Sequence, residues 1–343
     1  MTGVVDPEEP GRVLENGAWY TLDHPSAVGG VRRAAAVSAL HLGFGESRAA
    51  EIGLVVSELA TNQTRHAGGG SVLIRVQRSA SAAALEVLAV DGGPGMRDVT
   101  AAMRDGVSSR GTLGIGLGTL PRLTTAWDAW SSPGLGTVVA ASFSSPGGAP
   151  GLDRTTGITR AMTGQQVCGD AHAERDDDGV RTLMVADGLG HGPLAAAASQ
   201  AAVRTFLDAP LDTPATILRH VHRALGGTRG AAVAIAQLRG STLHHAGLGN
   251  IAGTLHGARS RSLLSQPGIA GSHAPSLQET ALPVSPGDVV TLFSDGLTNR
   301  VDLGAYPGLA THVPLVVAGV LMRDLAVRPD DACVAVLPVW EAA

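Results

Sequence analysis

Between residues 46 and 67, Ile52, Val55, Val56, Leu59 and Ala60 recur at helical spacing and form one apolar stripe, which predicts an amphipathic helix. Gly68, Gly69 and Gly70 end it. Two strand patterns follow, 71–78 with alternating apolar positions and 85–90 running into Asp91. A third, 137–143, leads into a stretch of Ser, Pro, Gly and Ala with strong turn chemistry and little to pack. Helical segments first and strands after, without regular alternation, predict an α/β sandwich with helices on one sheet face. Beyond the turn-rich stretch the pattern changes. Strands are expected at 180–186, 231–238, 242–248, 288–293 and 332–337, with helices at 193–207 and 214–225 between them. Many strands with inserted helices predict a two-sheet sandwich flanked by helices. The resulting division is 1–143, a linker at 144–153, and 154–343.

Composition narrows the chemistry. Of 343 residues 44% are hydrophobic, enough for two packed cores, while only 3% are aromatic, which argues against stacking platforms for single-stranded nucleic acid. The formal net charge is −5 and no basic run occurs, so a nucleic-acid partner is not expected. All 25 basic residues are arginine, so the phosphates of a bound nucleotide must be met by backbone amides, metal or arginine. The opening residues lack a charged and then apolar leader, and no apolar run reaches the roughly 20 residues a membrane span needs. A cytoplasmic protein without a membrane partner is therefore expected. The two cysteines, Cys168 and Cys333, suggest neither a metal knuckle nor a disulfide framework.

Two constellations carry chemistry. In the first, Glu58 and Asn62 lie four residues apart on the predicted helix, on one face at the edge of its apolar stripe. Downstream come Asp91-Gly92-Gly93-Pro94-Gly95, then glycines at alternate positions 114, 116 and 118, then Gly136-Thr137. Such glycines let backbone N–H groups approach phosphates closely. The ordered set Glu-Leu-Ala-Thr-Asn-x-x-x-His-Ala, Asp-x-Gly-Pro-Gly, Gly-x-Gly-x-Gly and Gly-Thr resembles the boxes of the GHKL ATPase superfamily. Within it, the match is nearest to serine kinases that regulate sigma factors. That resemblance, over about residues 25–143, implies a histidine kinase-like ATPase sandwich that binds ATP with Mg²⁺. It implies Asn62 as the Mg²⁺ ligand and Asp91 as acceptor for the adenine amino group. Gly93, Gly95, Gly114, Gly116 and Gly118 would shape the lid, Thr137 would support the adenine end, and Glu58 would be the general base. Arg97, Arg104 and Arg110 lie in or beside the lid segment and are expected on a solvated surface.

In the second constellation aspartates fall at predicted strand ends: Gly169-Asp170, Ala186-Asp187-Gly188-Leu189-Gly190-His191-Gly192, Ser294-Asp295-Gly296 and Asp330-Asp331-Ala332. One Asp-Gly is usually a turn. Four at strand edges can converge, and hard oxygen ligands suit Mg²⁺ or Mn²⁺. Together these stretches resemble the bacterial branch of the metal-dependent protein phosphatases, typified by the sporulation stage II phosphatase. The resemblance, over about 160–338, implies an αββα sandwich in which Asp170, Asp187, the carbonyl of Gly188, Asp295 and Asp330 hold two metal ions. Such ions would activate a water against phosphoserine or phosphothreonine. Asp331 is a weaker candidate that orients its neighbour. His191 reads equally as an acid or phosphate-binding group and as packing, and Cys168 as a small packed residue. His244 and His245 are expected to face solvent or core, and Gly247-Leu248-Gly249-Asn250 is read as a turn without chemistry. No arginine near the first strand is placed to grip phosphate.

A kinase-like half and a phosphatase half imply opposing control of one site. In the resembling families that site is on a small anti-sigma-factor antagonist, here the expected phosphorylated partner. Two other readings stay open: ATP sensing without phosphoryl transfer, and capture of a regulator with catalysis incidental.

Overall fold

The computed structural model describes residues 16–78, 83–102, 117–144, 151–274, 276–298 and 301–340. The chain divides into two compact units, Met1–Asp153 and Arg154–Ala343.

The first unit is one antiparallel sheet with helices on a single face. Its strands are β1 (Asn16–Leu22), β2 (Gly70–Arg78), β3 (Ala83–Asp91), β4 (Ala126–Ser131) and β5 (Thr137–Ser144), in the order β1-β2-β3-β5-β4. The helices are α1 (Ala27–His41), α2 (Glu46–Asn62) and two single turns, α3 (Val99–Ala102) and α4 (Leu120–Leu123). Ile52, Val55, Val56 and Leu59 of α2 pack on Val72, Ile74, Val87, Ala89, Val139 and Phe143, so the apolar stripe of the sequence is the seam of this core. The helix continues as a π-turn through Gln63–Ala67 and stops at Gly68, whose φ of 74° is the left-handed conformation that glycine takes without cost. The unit begins with a strand, not with the helices the pattern suggested. β1 has no clean alternation of its own and is set by its pairing with β2, Trp19 opposite Leu73.

The second unit stacks two antiparallel sheets. One has the order β13-β10-β9-β8-β7, made of β7 (Asp170–Asp177), β8 (Val180–Gly188), β9 (Ala231–Arg239), β10 (Thr242–Leu248) and β13 (Thr280–Pro283). The other, β12-β11-β14-β15-β6, uses β6 (Thr156–Arg160), β11 (Ala252–His256), β12 (Arg261–Leu263), β14 (Val289–Phe293) and β15 (Ala332–Pro338). Leu183, Val185, Ala234 and Ala236 of the first sheet meet Leu255, Val290, Leu292, Cys333, Ala335 and Leu337 of the second. Helices α5 (Pro193–Asp208) and α6 (Pro214–Ala224) cover the first sheet, and α7 (Pro314–Leu325) covers β15 and β6. The result is the expected αββα sandwich. β8, β9 and β15 are buried on both faces, which is why they read as continuous apolar runs rather than as alternation. Cys333 is buried and both cysteines are free. No helix among the described residues is long and apolar enough to cross a membrane.

His245 on β10 lies in the core, 2% exposed, and its Nε2 has no hydrogen-bond partner. Burial alone lowers its pKa to about 4. The folded protein therefore keeps this ring neutral where the unfolded chain, with an ordinary value near 6.5, takes up a proton. The contribution is intact above about pH 6.5 and is lost as pH falls toward 4. Replacing His245 by Leu is expected to flatten the decline of the thermal midpoint between pH 6.5 and 4 relative to the parent chain. Parallel declines in calorimetry would exclude that assignment.

Candidate functional site

In the first unit the nucleotide-motif residues gather at one end of the sheet. Asp91 closes β3 and Thr137 opens β5, and the two are register partners on neighbouring strands. Asp91 Oδ1 accepts the Gly93 N–H at 2.9 Å, closing a tight turn. Gly93 lies against the π-turn that extends α2, where an added Cβ would stand 2.5 Å from the Ala67 Cβ. Any side chain there would push the Asp91 turn away from the helix that carries Glu58 and Asn62. Both of those side chains are half-buried, one helical turn apart. Gly95 has a φ of 67°, and a Cβ on it would run into the Ser132 carbonyl at 1.9 Å.

Sequence reasoning missed the residue that joins these pieces. Ser131 at the end of β4 donates to the Gly136 carbonyl at 3.0 Å, accepts the Met96 N–H at 2.8 Å, and shares a 2.9 Å hydrogen bond with Thr137 Oγ1. One hydroxyl thus ties the β4–β5 hairpin to the Gly95 turn and orients Thr137. A serine in a strand carries no signal by itself; only pairing shows what it reaches. Gly118 sits buried in the 3₁₀ turn Leu117–Thr119. Gly114, Gly116, Arg104 and Arg110 lie outside the described residues, and Arg97 is exposed.

In the second unit the aspartates come from both sheets. Asp170 opens β7 and Asp187 lies near the end of β8, opposite each other in register. Asp295 follows β14, and Asp330 precedes β15, the strand paired with β14. Asp170 is 4% exposed, and its Oδ2 has no hydrogen-bond partner. Burial, followed by the charge of Asp187, raises the Asp170 pKa well above the carboxylate range. The Asp187 pKa is pushed up to about 7, by burial first and then by the charges of Asp295, Asp330 and Asp331. Asp187 is thus the carboxyl through which the charges of Asp170, Asp295 and Asp330 are linked. Among the described residues no three His, Cys, Asp or Glu side chains stand close enough together to hold one ion. Asp330 is exposed and its Oδ1 accepts the Asp331 N–H at 2.9 Å. The donors are all carboxylate oxygens, one of them buried without a partner, and repulsion within the set is relieved by positive charge. That chemistry fits a hard divalent cation such as Mg²⁺ or Mn²⁺.

Several neighbours hold this arrangement. Asn250 Nδ2 donates to Asp295 Oδ2 at 2.7 Å, so the Gly247–Asn250 stretch has a role that the turn reading missed. Arg328 donates to the Asp295 carbonyl at 2.7 Å. Asp331 is buried and accepts the Met162 N–H through Oδ1 and the Gly169 N–H through Oδ2, both at 2.8 Å. It thereby fixes the backbone just before Asp170. The doublet Asp330-Asp331 was visible in the sequence, but only burial shows that its second member faces amides. Ser294 accepts the Cys333 N–H at 2.8 Å, joining the Asp295 turn to β15. The half-buried Cys168 thiol has its pKa raised by burial first and then by Asp170 and Asp331, which disfavours the thiolate. His191 is exposed. His244 is half-buried with its Nδ1 2.9 Å from Glu279 Oε1, whereas His245 faces the core.

Gly188 is pressed against α5. A Cβ on it would stand 2.1 Å from the Ala195 carbonyl oxygen, backbone that cannot yield cheaply. Gly188→Ala is expected to cost about 2–4 kcal/mol through overpacking and displacement of the β8 end. Urea denaturation should report the loss, and an unchanged midpoint would mean the helix moves freely.

Residues 22–143 match the model of the histidine kinase-like ATPase domain, and residues 177–316 match that of stage II sporulation protein E. The serine/threonine-protein kinase RsbT of Bacillus subtilis (strain 168) is 38% identical over 103 residues, which cover 30% of this chain and 77% of that protein. A chain from a structure of the bacterial stressosome, described as a modular system adapted to control secondary messenger signaling, is 30% identical. It superposes with a TM-score of 0.50 over 53% of this chain and 97% of its own length. The crystal structure of RsbX in complex with magnesium is 22% identical, with a TM-score of 0.45 over 53% of this chain and 92% of that one.

Proposed function

The chain belongs to the family of the serine/threonine-protein kinase RsbT and carries a second region that matches stage II sporulation protein E, and from that premise we propose a division of labour between its two units. The second unit is a metal-dependent protein serine/threonine phosphatase. Asp170, Asp187, the Gly188 carbonyl, Asp295 and Asp330 would hold two divalent ions, which when bound would supply a water activated near neutral pH. The first unit binds ATP with Mg²⁺ through Asn62, Asp91, Thr137 and the glycine turns, and Glu58 acts as general base toward a protein hydroxyl. The shared substrate is a small anti-sigma-factor antagonist, phosphorylated by one unit and dephosphorylated by the other. The domain limits are 1–143 and 154–343, and the location is cytoplasmic.

The observation that carries the phosphatase assignment is the Asp170–Asp187 register pair, a buried and a half-buried carboxyl at one strand end with an oxygen of Asp170 left unsatisfied. Crowding of like charge destabilises the metal-free fold, and such perturbed groups cluster at functional sites, where a cation would relieve them. Asp331 and Asn250 serve the set from outside by fixing the Gly169 amide and the Asp295 carboxylate.

A second reading keeps the first unit as an ATP sensor without transfer. It is favoured by the half-buried setting of Glu58, which needs only an ordered neighbour, not a substrate hydroxyl, to be satisfied. Incubation with labelled ATP and an antagonist protein separates the two. Label on the protein supports the kinase; ATP binding that only alters the phosphatase rate supports the sensor.

A further inference from the structure

The first strand of the second unit ends in Arg160, whose Nη2 donates to the Ala326 carbonyl at 2.9 Å, and the fold supplies a further arginine from elsewhere. Arg229 lies in the turn before β9, and that turn is rigid. Thr228 Oγ1 donates to the Leu225 carbonyl at 2.8 Å and accepts the Gly230 N–H at 3.0 Å. Gly230 has a φ of 84°, and a Cβ on it would strike Ile269 and Ala270. The turn is fastened to the acidic strand end by the Leu189 N–H, which donates to the Gly230 carbonyl at 3.0 Å. Its next residues, Ala231 and Ala232, are the register partners of Gly188 and Asp187.

This backbone delivers the Arg229 side chain to the loop that leaves Asp187. A Cβ placed on Gly190 would stand 3.0 Å from Arg229 Nη1, so the guanidinium lies across the bare face of that glycine. Gly190 in turn reaches back to the centre: its carbonyl oxygen is 3.5 Å from where a Cβ on Gly169, the residue before Asp170, would lie. Arg229 is exposed and forms no ion pair among the described residues, although it lies over the loop that leaves Asp187. A fork of donors held over the loop that leaves Asp187, without being consumed by a carboxylate, suits a tetrahedral dianion.

We propose that Arg229 grips the phosphoryl oxygens of the phosphoprotein substrate in the second unit. This rests on the phosphatase reading for its substrate, while the site itself is tested independently of turnover. Binding of inorganic phosphate to the full chain in Mn²⁺ is measured by equilibrium dialysis for the parent, Arg229→Ala and Arg229→Lys. Mn²⁺ affinity is followed separately by electron paramagnetic resonance. Loss of a charge-assisted bidentate contact is expected to weaken phosphate binding about 10- to 100-fold in Arg229→Ala, with Lys intermediate and Mn²⁺ affinity unchanged. With p-nitrophenyl phosphate, KM should rise in the same proportion while kcat changes by less than about threefold.

Equal phosphate affinity in all three proteins overturns the inference, as does a loss of Mn²⁺ affinity in Arg229→Ala, which would place the arginine in support of the metal centre. If the parent hydrolyses substrate but binds phosphate without regard to Arg229, the phosphatase reading stands and only this inference falls. If the parent does not hydrolyse yet binds phosphate through Arg229, the converse holds.

Discussion

Asp187→Asn is expected to lower Mn²⁺-dependent hydrolysis of p-nitrophenyl phosphate by at least about 10³-fold, because it neutralises one of the proposed ligands where the reacting charge develops. The same substitution should act in the opposite sense on the metal-free protein. The folded Asp187 carboxyl has its pKa raised to about 7, whereas the unfolded chain ionises it near the ordinary 3.8. Between these values the folded state holds a proton that the unfolded state has lost, so stability falls as pH rises through the window. Above it the full cost of the buried charge applies, about 2–4 kcal/mol when shared with Asp170. Without metal, Asp187→Asn should therefore melt higher than the parent at pH 8 and near it at pH 4. Adding Mn²⁺ should raise the parent midpoint and leave the variant almost unmoved. Equal hydrolysis by both chains would sink the metal-centre assignment. A parent midpoint indifferent to Mn²⁺ would do the same without reference to turnover.

Glu58→Ala carries the second large effect. If Glu58 is the base for a protein hydroxyl, labelled phosphate transfer from ATP to an antagonist protein should fall about 10²–10⁴-fold. ATP affinity should hardly change, because the residues proposed for the adenine end, Asp91 and Thr137, which Ser131 orients, lie on the sheet rather than on α2. Asn62→Ala should show the reverse pattern, with ATP binding lost along with transfer. Transfer that survives in Glu58→Ala would remove this carboxylate from the reaction. ATP binding with no transfer by either chain would favour the sensor.

The two metal-type and nucleotide-type constellations were legible because their residues carry chemistry in their type and order. Glu58 and Asn62 share a helix face by the 3.6-residue period, and Asp170, Asp187, Asp295 and Asp330 each stand at the edge of an apolar run. Long amphipathic or doubly buried segments, α2, α5, β8, β9 and β15, were equally readable, since burial of a whole face imposes its period on the sequence. What lay beyond reach was everything set by pairing across distance. β1 and β4 are short strands whose place depends on β2 and β5, and α7 is apolar all round, so no stripe marks it. Ser131, Asn250, Asp331 and Arg229 are ordinary residues in sequence. Each meets a neighbour 35 or more residues away: Met96 for Ser131, Asp295 for Asn250, Gly169 for Asp331, Gly190 for Arg229. The linear chain thus determined which groups can do chemistry and on what local element each sits, through composition and period. Tertiary structure alone decided which of them face one another, because the contacts that orient a ligand, cap a loop or bring a cation to an acidic edge are made between segments that share no local pattern.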